Sequence, residues 1–170
     1  LVQLRKYYRL GLTWTSNAIE GSSYTESETK ILLEDGITVA GKTLRETMAA
    51  LGHAKAYDYM FTLIGKKGVS EQDILAMHGM LDGGMETGTA GEYRTTAVFV
   101  TGTTFKFPPA GEIPVLMQTL FAQTMPGLAS LHPVVQSAKI HKEIVTVHPF
   151  SDGNGRVARL AMNTLLIQHG

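Results

Sequence analysis

The sequence contains no cysteine, no excess of either charge and no long apolar run. Without cysteine there can be no disulfide, no thiolate zinc site and no cysteine nucleophile. Fifteen basic and fifteen acidic residues give a formal net charge of zero, which argues against a broad nucleic-acid or anionic-membrane surface. No apolar run approaches the roughly 18 residues of a membrane span. We therefore expect neither a nucleic acid nor a membrane as partner, and we expect a cytoplasmic protein.

The chain has 170 residues, of which 44% are hydrophobic and 18% charged, as in ordinary globular proteins. It begins at Leu1 and stops at Gly170, directly after an apolar stretch, which is typical of a fragment cut from a longer protein. There is no repeat or linker. We therefore predict an N-terminal helical segment over 1–34 and a core over 35–170, packed together as one compact domain.

Helix signals dominate the chain and predict an all-α fold. Capping boxes, in which a threonine is followed three residues later by a glutamate, open helices at Thr25 and Thr43. Pro133 opens another helix. A glycine-rich loop is predicted over 82–92. Residues 95–107 are β-branched and aromatic and end at two prolines, which predicts a short β-hairpin.

The last two helices are predicted to be joined by a short loop over residues 148–153. His148 precedes a proline, and a residue in that position is disfavoured in the α region, so the helix before it must end. A new helix begins near Gly155, and its residues 160–167 are apolar on nearly all sides. Such a helix belongs in the core. The loop therefore lies at the N-terminus of a buried helix.

The start of that helix has the composition of an anion site. A helix N-terminus offers free N–H groups and the positive end of the helix dipole. Gly153 and Gly155 allow a ligand to approach the backbone closely, and Asn154 between them adds a side-chain donor. Arg156 and Arg159 share one face of the first turns and can bind phosphate oxygens through paired bonds.

Two titratable residues of the loop complete a set suited to phosphate chemistry. Asp152 is a hard oxygen ligand of the kind that magnesium takes beside phosphates. His148 can accept a proton from an alcohol at neutral pH. Phe150 is expected to anchor the loop in the core. Together these residues indicate attack by a hydroxyl group on a nucleotide phosphate.

The twelve residues from His148 to Arg159 resemble the signature of the Fic family, His-x-Phe-x-[Asp/Glu]-Gly-Asn-Gly-Arg-x-x-Arg, without a departure. The resemblance extends from about Thr15 to Gly170. It includes Gly91-Glu-Tyr-Arg94 before the predicted hairpin and Leu131-His-Pro133 at the start of the preceding helix.

The resemblance implies an all-α Fic-type helical bundle with one β-hairpin flap. It implies transfer of AMP from ATP, with Mg²⁺, to a Ser, Thr or Tyr hydroxyl of a protein substrate. His148 would be the general base and Asp152 the metal ligand. The implied nucleotide-binding residues are Gly153, Asn154, Gly155, Arg156 and Arg159. The flap would dock the protein substrate as an added strand through Thr101, Thr103, Thr104 and Phe105.

A second short match, Ser16-Asn-Ala-Ile-Glu-Gly21, resembles the inhibitory motif of the same family. Glu20 would lie at a helix end, with Gly21 as the residue that terminates the helix. From there Glu20 can pair with Arg159 and deny that arginine to the γ-phosphate of ATP. The resemblance leaves open whether the chain also removes AMP and whether it forms a homodimer.

Two alternatives to AMP transfer stay open. The first is a Fic-type transferase of another phosphate-containing group, namely UMP, phosphate or phosphocholine. The second is a nucleotide-binding regulatory module with little catalysis.

Overall fold

The computed structural model describes residues 2–82 and 89–169, and the predicted loop over 82–92 lies largely outside these ranges. The helices are α1 Val2–Ile19, α2 Glu26–Lys30, α3 Leu44–Thr62, α4 Glu71–Asp82, α5 Ile113–Thr119, α6 Met125–Gly127, α7 Pro133–Val147 and α8 Asn154–Gln168. The predicted all-α class is confirmed. Within the described ranges, none of these helices combines the length and apolarity needed to cross a membrane.

The predicted capping boxes begin the helices where expected. The Thr25 hydroxyl accepts the Glu28 N–H at 3.2 Å, and Thr43 accepts the Glu46 N–H at 3.1 Å. Each glutamate in turn accepts the N–H of its threonine. Two orphan donors are thereby satisfied at each helix start.

The core is centred on α8, which packs against α7, α3 and α4. Val157, Ala158 and Ala161 are fully buried, as the apolar sequence of this helix predicts. A close approach of α3 to α4 depends on Gly52, because a Cβ there would lie 2.6 Å from the Met80 carbonyl oxygen. The loop over residues 148–153, between α7 and α8, is therefore attached to a helix that lies in the core.

The predicted β-hairpin over 95–107 is wrong in the described structure. Those residues form a bend at 95–96, a turn at 101–102 and otherwise no regular secondary structure, and no strand occurs among residues 2–82 and 89–169. Phe99 is 93% exposed, and all four predicted flap residues are exposed as well. A two-stranded hairpin is marginal without a surface to pack on, and β-branched composition alone does not supply that surface.

Candidate active site

The loop begins with a backbone conformation that is uncommon for a residue with a side chain. His148 has φ 52° and ψ 59°, and it is the one non-glycine with positive φ in the described ranges. Its N–H still donates to the Ile144 carbonyl at 2.8 Å and closes the last turn of α7. Such a conformation costs on the order of 1–3 kcal/mol and persists where the surroundings enforce it. The imidazole is therefore aimed by the surrounding structure.

Arg94 helps to hold the backbone of His148 in this conformation through hydrogen bonds. Its side chain is 2% exposed and donates to the carbonyls of His148 at 2.7 Å, Thr96 at 2.8 Å and Pro108 at 2.7 Å. Its own N–H donates to the Pro149 carbonyl at 2.9 Å. One buried guanidinium thus joins both ends of segment 95–107 to the loop.

Asn154 holds the loop from the other end. Its side-chain oxygen accepts the Phe150 N–H at 2.9 Å, and its amide donates to the Phe150 carbonyl at 2.8 Å. Phe150 is fully buried, as predicted. Because one donor and the acceptor of the Asn154 side chain are used inside the loop, its backbone N–H and second amide hydrogen are what it can offer an anion.

The first turn of α8 keeps donors that the helix itself does not use. Gly153 precedes the helix with φ 77°, and no side chain caps it. The N–H groups of Asn154, Gly155 and Arg156 have no acceptor within the helix. A Cβ at Gly155 would lie 2.7 Å from Oε1 of Glu20. A carboxylate therefore already lies against this turn, where a helix N-terminus attracts anions.

That carboxylate belongs to Glu20, the residue directly after α1. Glu20 Oε1 lies 2.6 Å from a guanidinium nitrogen of Arg159. Arg159 also donates to the Ser16 hydroxyl at 2.9 Å and to the Ser16 carbonyl at 3.0 Å. Gly21, with φ 89°, ends the helix as predicted, and Ser22 N–H returns to the Asn17 carbonyl at 3.0 Å in the pattern of a Schellman motif.

Asp152 lies beside the same turn with its side chain about half exposed. Its Oδ2 is 2.8 Å from Arg45 and 3.4 Å from Arg156, and its Oδ1 accepts the Gly153 N–H at 2.6 Å. Burial works to raise the pKa of this carboxyl, but Arg156, the Gly153 N–H and Arg45 outweigh it and hold the pKa below its usual value. The carboxylate is ionised at neutral pH.

Arg156 brings a buried positive charge to the site. It is 5% exposed, and among the described residues its Nε has no hydrogen-bond partner. A buried donor without a partner costs about 1–3 kcal/mol. An anionic ligand that reached the guanidinium would compensate for this cost. The donor set at Arg156, Arg159 and the α8 turn therefore fits a polyphosphate.

His148 is prepared to accept a proton. Burial lowers the pKa of its imidazole and outweighs the Val145 carbonyl, which raises it; Arg94 lowers the pKa further, and Asp152 and Glu20 raise it. Nδ1 lies 3.3 Å from the Val145 carbonyl, which can only accept, so Nδ1 carries the proton. Nε2 is left as the basic nitrogen. The Phe107 ring packs on the imidazole with 4.2 Å between centroids.

The structure thus brings together Glu20, Asp152, the α8 turn, Arg156 and Arg159, with His148 at the other end of the same loop. Four residues that contact this set were not assigned to the site from the sequence, namely Ser16, Arg45, His78 and Arg94. Arg94 and Ser16 belong to the two short segments that resemble the family, 91–94 and 16–21, and this resemblance was the sequence signal that could have identified them. Arg45 and His78 are single residues on separate helices and carry no local signal.

These features agree with comparison to known proteins. The Fic/DOC family model matches residues 68–166, so the chain belongs to that family. It is 37% identical over 159 residues to the protein adenylyltransferase Fic of Drosophila erecta and 38% identical to that of Drosophila willistoni. Both matches cover 91% of this chain and 31% of the relative, so the chain spans about a third of these proteins.

Solved structures show the same fold. Fic-1 (residues 134–508) of Caenorhabditis elegans superposes with a TM-score of 0.81 at 28% identity, over 100% of this chain and 50% of that chain. A Fic domain containing signaling protein of Bacteroides thetaiotaomicron gives a TM-score of 0.89 at 26% identity, over 100% of this chain and 66% of that chain.

Proposed function

We propose that this chain is the catalytic part of a protein adenylyltransferase, which transfers AMP from ATP to a Ser, Thr or Tyr hydroxyl of a protein. The observation that carries the proposal is the position of His148, with Nδ1 3.3 Å from the Val145 carbonyl, on the loop that leads into an uncapped helix N-terminus with two arginines in its first turns. The adenylyltransferase relatives at 37–38% identity support the choice of AMP as the transferred group.

The reaction follows from the roles of these groups. The hydroxyl of the protein substrate gives its proton to Nε2 of His148 as its oxygen attacks the α-phosphorus of ATP. An O–P bond forms, and the bond to the β-phosphate oxygen breaks to release pyrophosphate. The N–H groups of the α8 turn stabilise the charge on the α-phosphate oxygens. Arg156 and Arg159 hold the two phosphates that leave.

Asp152 is the proposed ligand for Mg²⁺. The carboxylate is ionised, half-exposed and adjacent to the phosphate donors. Magnesium in nucleotide sites takes one or two carboxylates together with phosphate oxygens and waters, and this arrangement fits that mode. When bound, the ion would neutralise phosphate charge. Arg45 and Arg156 must then share Asp152 with the metal.

Glu20 is proposed to act as a brake, with residues 1–34 as the regulatory segment and 35–170 as the transfer core. Its carboxylate occupies Arg159 and lies against Gly155, and both of these are needed for phosphate binding in the mechanism above. The two side chains of the pair are 20% and 42% exposed. An ion pair this exposed contributes about 0–1 kcal/mol, which makes the contact releasable.

Segment 95–107 is the proposed docking site for the protein substrate. Thr101, Thr103, Thr104 and Phe105 are exposed, and the segment reaches His148 through Phe107. Among the described residues its backbone pairs with no strand. An extended segment of a partner can add to such a backbone by main-chain hydrogen bonds.

The test is incubation of the Glu20→Gly protein with Mg²⁺ and each nucleoside triphosphate in turn, followed by intact-mass analysis of the protein and of candidate substrates. We expect a mass increase equal to AMP, larger than in the unsubstituted chain. Glu92→Gly, which removes an exposed glutamate outside the helices, is the matched control and should leave labelling unchanged.

A different mass increase would identify a different transferred group, because UMP, phosphate and phosphocholine each add a different mass to the protein. ATP binding without any mass change would favour the regulatory module. A modified substrate that loses AMP in the presence of the unsubstituted chain, but not with Glu20→Gly, would show that the same glutamate supports removal.

A further inference from the structure

His78 lies on the buried face of α4, 70 residues before the signature, and makes two contacts with the loop between α7 and α8 and one with Gly91. Its ring stacks on Phe150 with 3.8 Å between centroids and 4° between planes. Its Nε2 lies 3.2 Å from the Asp152 carbonyl oxygen. Its Nδ1 accepts the Gly91 N–H at 3.0 Å.

These bonds fix the tautomer of the ring. The Gly91 N–H can only donate, so Nδ1 must present a lone pair. The Asp152 carbonyl can only accept, so Nε2 must carry the hydrogen. The neutral ring with hydrogen on Nε2 satisfies both partners at once. The hydrogen bond at one ring nitrogen therefore determines whether the other nitrogen carries the hydrogen.

Three glycines, Gly79, Gly91 and Gly153, lie close around the His78 ring or the segment that bonds to it. Gly91 has φ 77°, a conformation that strains any residue with a side chain, and a Cβ there would lie in tight contact, 3.1 Å, with the Leu75 carbonyl oxygen. A Cβ at Gly79 would lie 3.7 Å from Gly91. A Cβ at Gly153 would lie 3.5 Å from the His78 ring. The ring therefore fills the space directly beneath the start of α8.

We propose that His78 is a positioning residue for AMP transfer. By donating to the Asp152 carbonyl, it fixes the peptide that joins Asp152 to Gly153, and with it the Asp152 carboxylate and the first N–H groups of α8. This proposal rests on the proposed function, in which Asp152 is the metal ligand and the N–H groups of the α8 turn bind phosphate. It differs from simple core packing because the hydrogen bond from Nε2, and not only the volume of the ring, is required.

Two substitutions separate the two hydrogen bonds of the ring. His78→Gln places an amide N–H near the position of Nε2 and keeps the bond to Asp152. His78→Asn places an amide oxygen near Nδ1 and keeps only the bond to Gly91. His141→Asn and His141→Gln on α7 are matched controls, because His141 lies on a neighbouring helix outside the loop.

The variants are compared in the Glu20→Gly protein. We expect His78→Asn to lower kcat by about 10-fold to 100-fold, the loss typical of a displaced catalytic group. KM for ATP should stay within about threefold, because Arg156 and Arg159 are untouched, while the Mg²⁺ concentration for half-maximal rate should rise. His78→Gln should recover most of kcat. Equal losses of kcat in the two variants, with equal loss of thermal stability, would reduce His78 to a packing residue.

A second set of measurements does not depend on activity, and its first part uses the unsubstituted chain. The ¹⁵N shifts of the His78 ring report its tautomer, and we expect hydrogen on Nε2. The amide resonances of Gly153 and Asn154 should shift in His78→Asn and stay near their original positions in His78→Gln. Hydrogen on Nδ1 would overturn the proposal. Absence of transfer in Glu20→Gly with the expected ¹⁵N pattern would instead refute the proposed function of the site and leave the positioning of Asp152 standing.

Discussion

The loop over residues 148–153 and the end of α1 meet at the first turn of α8, and they are held there by different kinds of contact. The loop is tied by buried groups: Asn154 bonds to both polar atoms of the Phe150 backbone, and Arg94 bonds to three carbonyls. The end of α1 reaches the same turn through the partly exposed pair of Glu20 and Arg159.

The proposed catalytic groups and the proposed inhibitory glutamate are therefore held by contacts of different strength. Loss of a buried partner costs about 1–3 kcal/mol for each group left unsatisfied, whereas an exposed ion pair contributes about 0–1 kcal/mol. The loop is therefore kept in one geometry, and the contact of Glu20 can be broken without unfolding the site.

The largest effect is expected from His148→Ala in the Glu20→Gly protein. Removal of the general base should lower the rate of AMP transfer by about 100-fold to 10,000-fold, while ATP binding measured by calorimetry persists, because the arginines and the α8 turn remain. His141→Ala is the control and should retain transfer. Transfer at the original rate in His148→Ala would mean that another group accepts the proton.

Arg94→Ala should lower the free energy of unfolding by about 3 kcal/mol or more, because it leaves buried carbonyls of the loop and of segment 95–107 without a donor. Arg45→Ala removes an arginine that is 72% exposed and pairs with Asp152 at the surface, and it should change stability by less than about 1 kcal/mol. Urea unfolding of both variants measures the contrast. Equal losses of unfolding free energy in the two variants would show that the buried contacts of Arg94 stabilise the protein no more than the exposed pair of Arg45.

Acid should weaken the attachment of α1 through His53. Burial, reinforced by Arg156 and Arg159, lowers the pKa of His53 from 6.5 to about 3, and the ring contacts the Thr13 hydroxyl of α1 at 3.1 Å. Below pH 6.5 the unfolded state binds a proton that the folded state excludes. The stabilisation is therefore complete above pH 6.5 and is lost as the pH falls toward 3.

The slope from this group is at most about 1.4 kcal/mol per pH unit, and His53→Gln should flatten the dependence of unfolding free energy on pH over that range. His132→Gln, at an exposed position, should not. An unchanged slope in His53→Gln would show that the ring can be protonated in the folded state.

The smallest effect on stability is expected from Glu20→Gln. The free energy of unfolding should change by less than about 1 kcal/mol, although labelling by ATP should rise because Arg159 is released. Thermal unfolding and labelling of the same preparation measure the two quantities, with Glu92→Gln as the control. A loss of stability above about 2 kcal/mol would show that the glutamate is a structural part of the bundle rather than a releasable brake.

Local signals predicted the helical framework well because the patterns themselves set the local structure. The capping boxes at Thr25 and Thr43, the helix end before Pro149 and the terminator Gly21 all depend on a few adjacent residues. The hairpin over 95–107 was not found, because strand pairing depends on what the segment packs against. His148 also differs from expectation: it leaves the right-handed α region as predicted but adopts the left-handed one, which Arg94 supports through the His148 carbonyl.

The helix boundaries around the loop and the residues proposed to bind phosphate could be identified from the sequence alone, since both are encoded within the twelve residues from His148 to Arg159. Only the tertiary structure decided that Arg94 and His78 hold this loop from distant positions, that Asn154 uses its side chain to brace Phe150, and that Glu20 reaches Arg159 across 139 residues of chain. Hydrogen bonds and ion pairs depend on distance in space, and the packing of α1, α3 and α4 around α8 sets those distances.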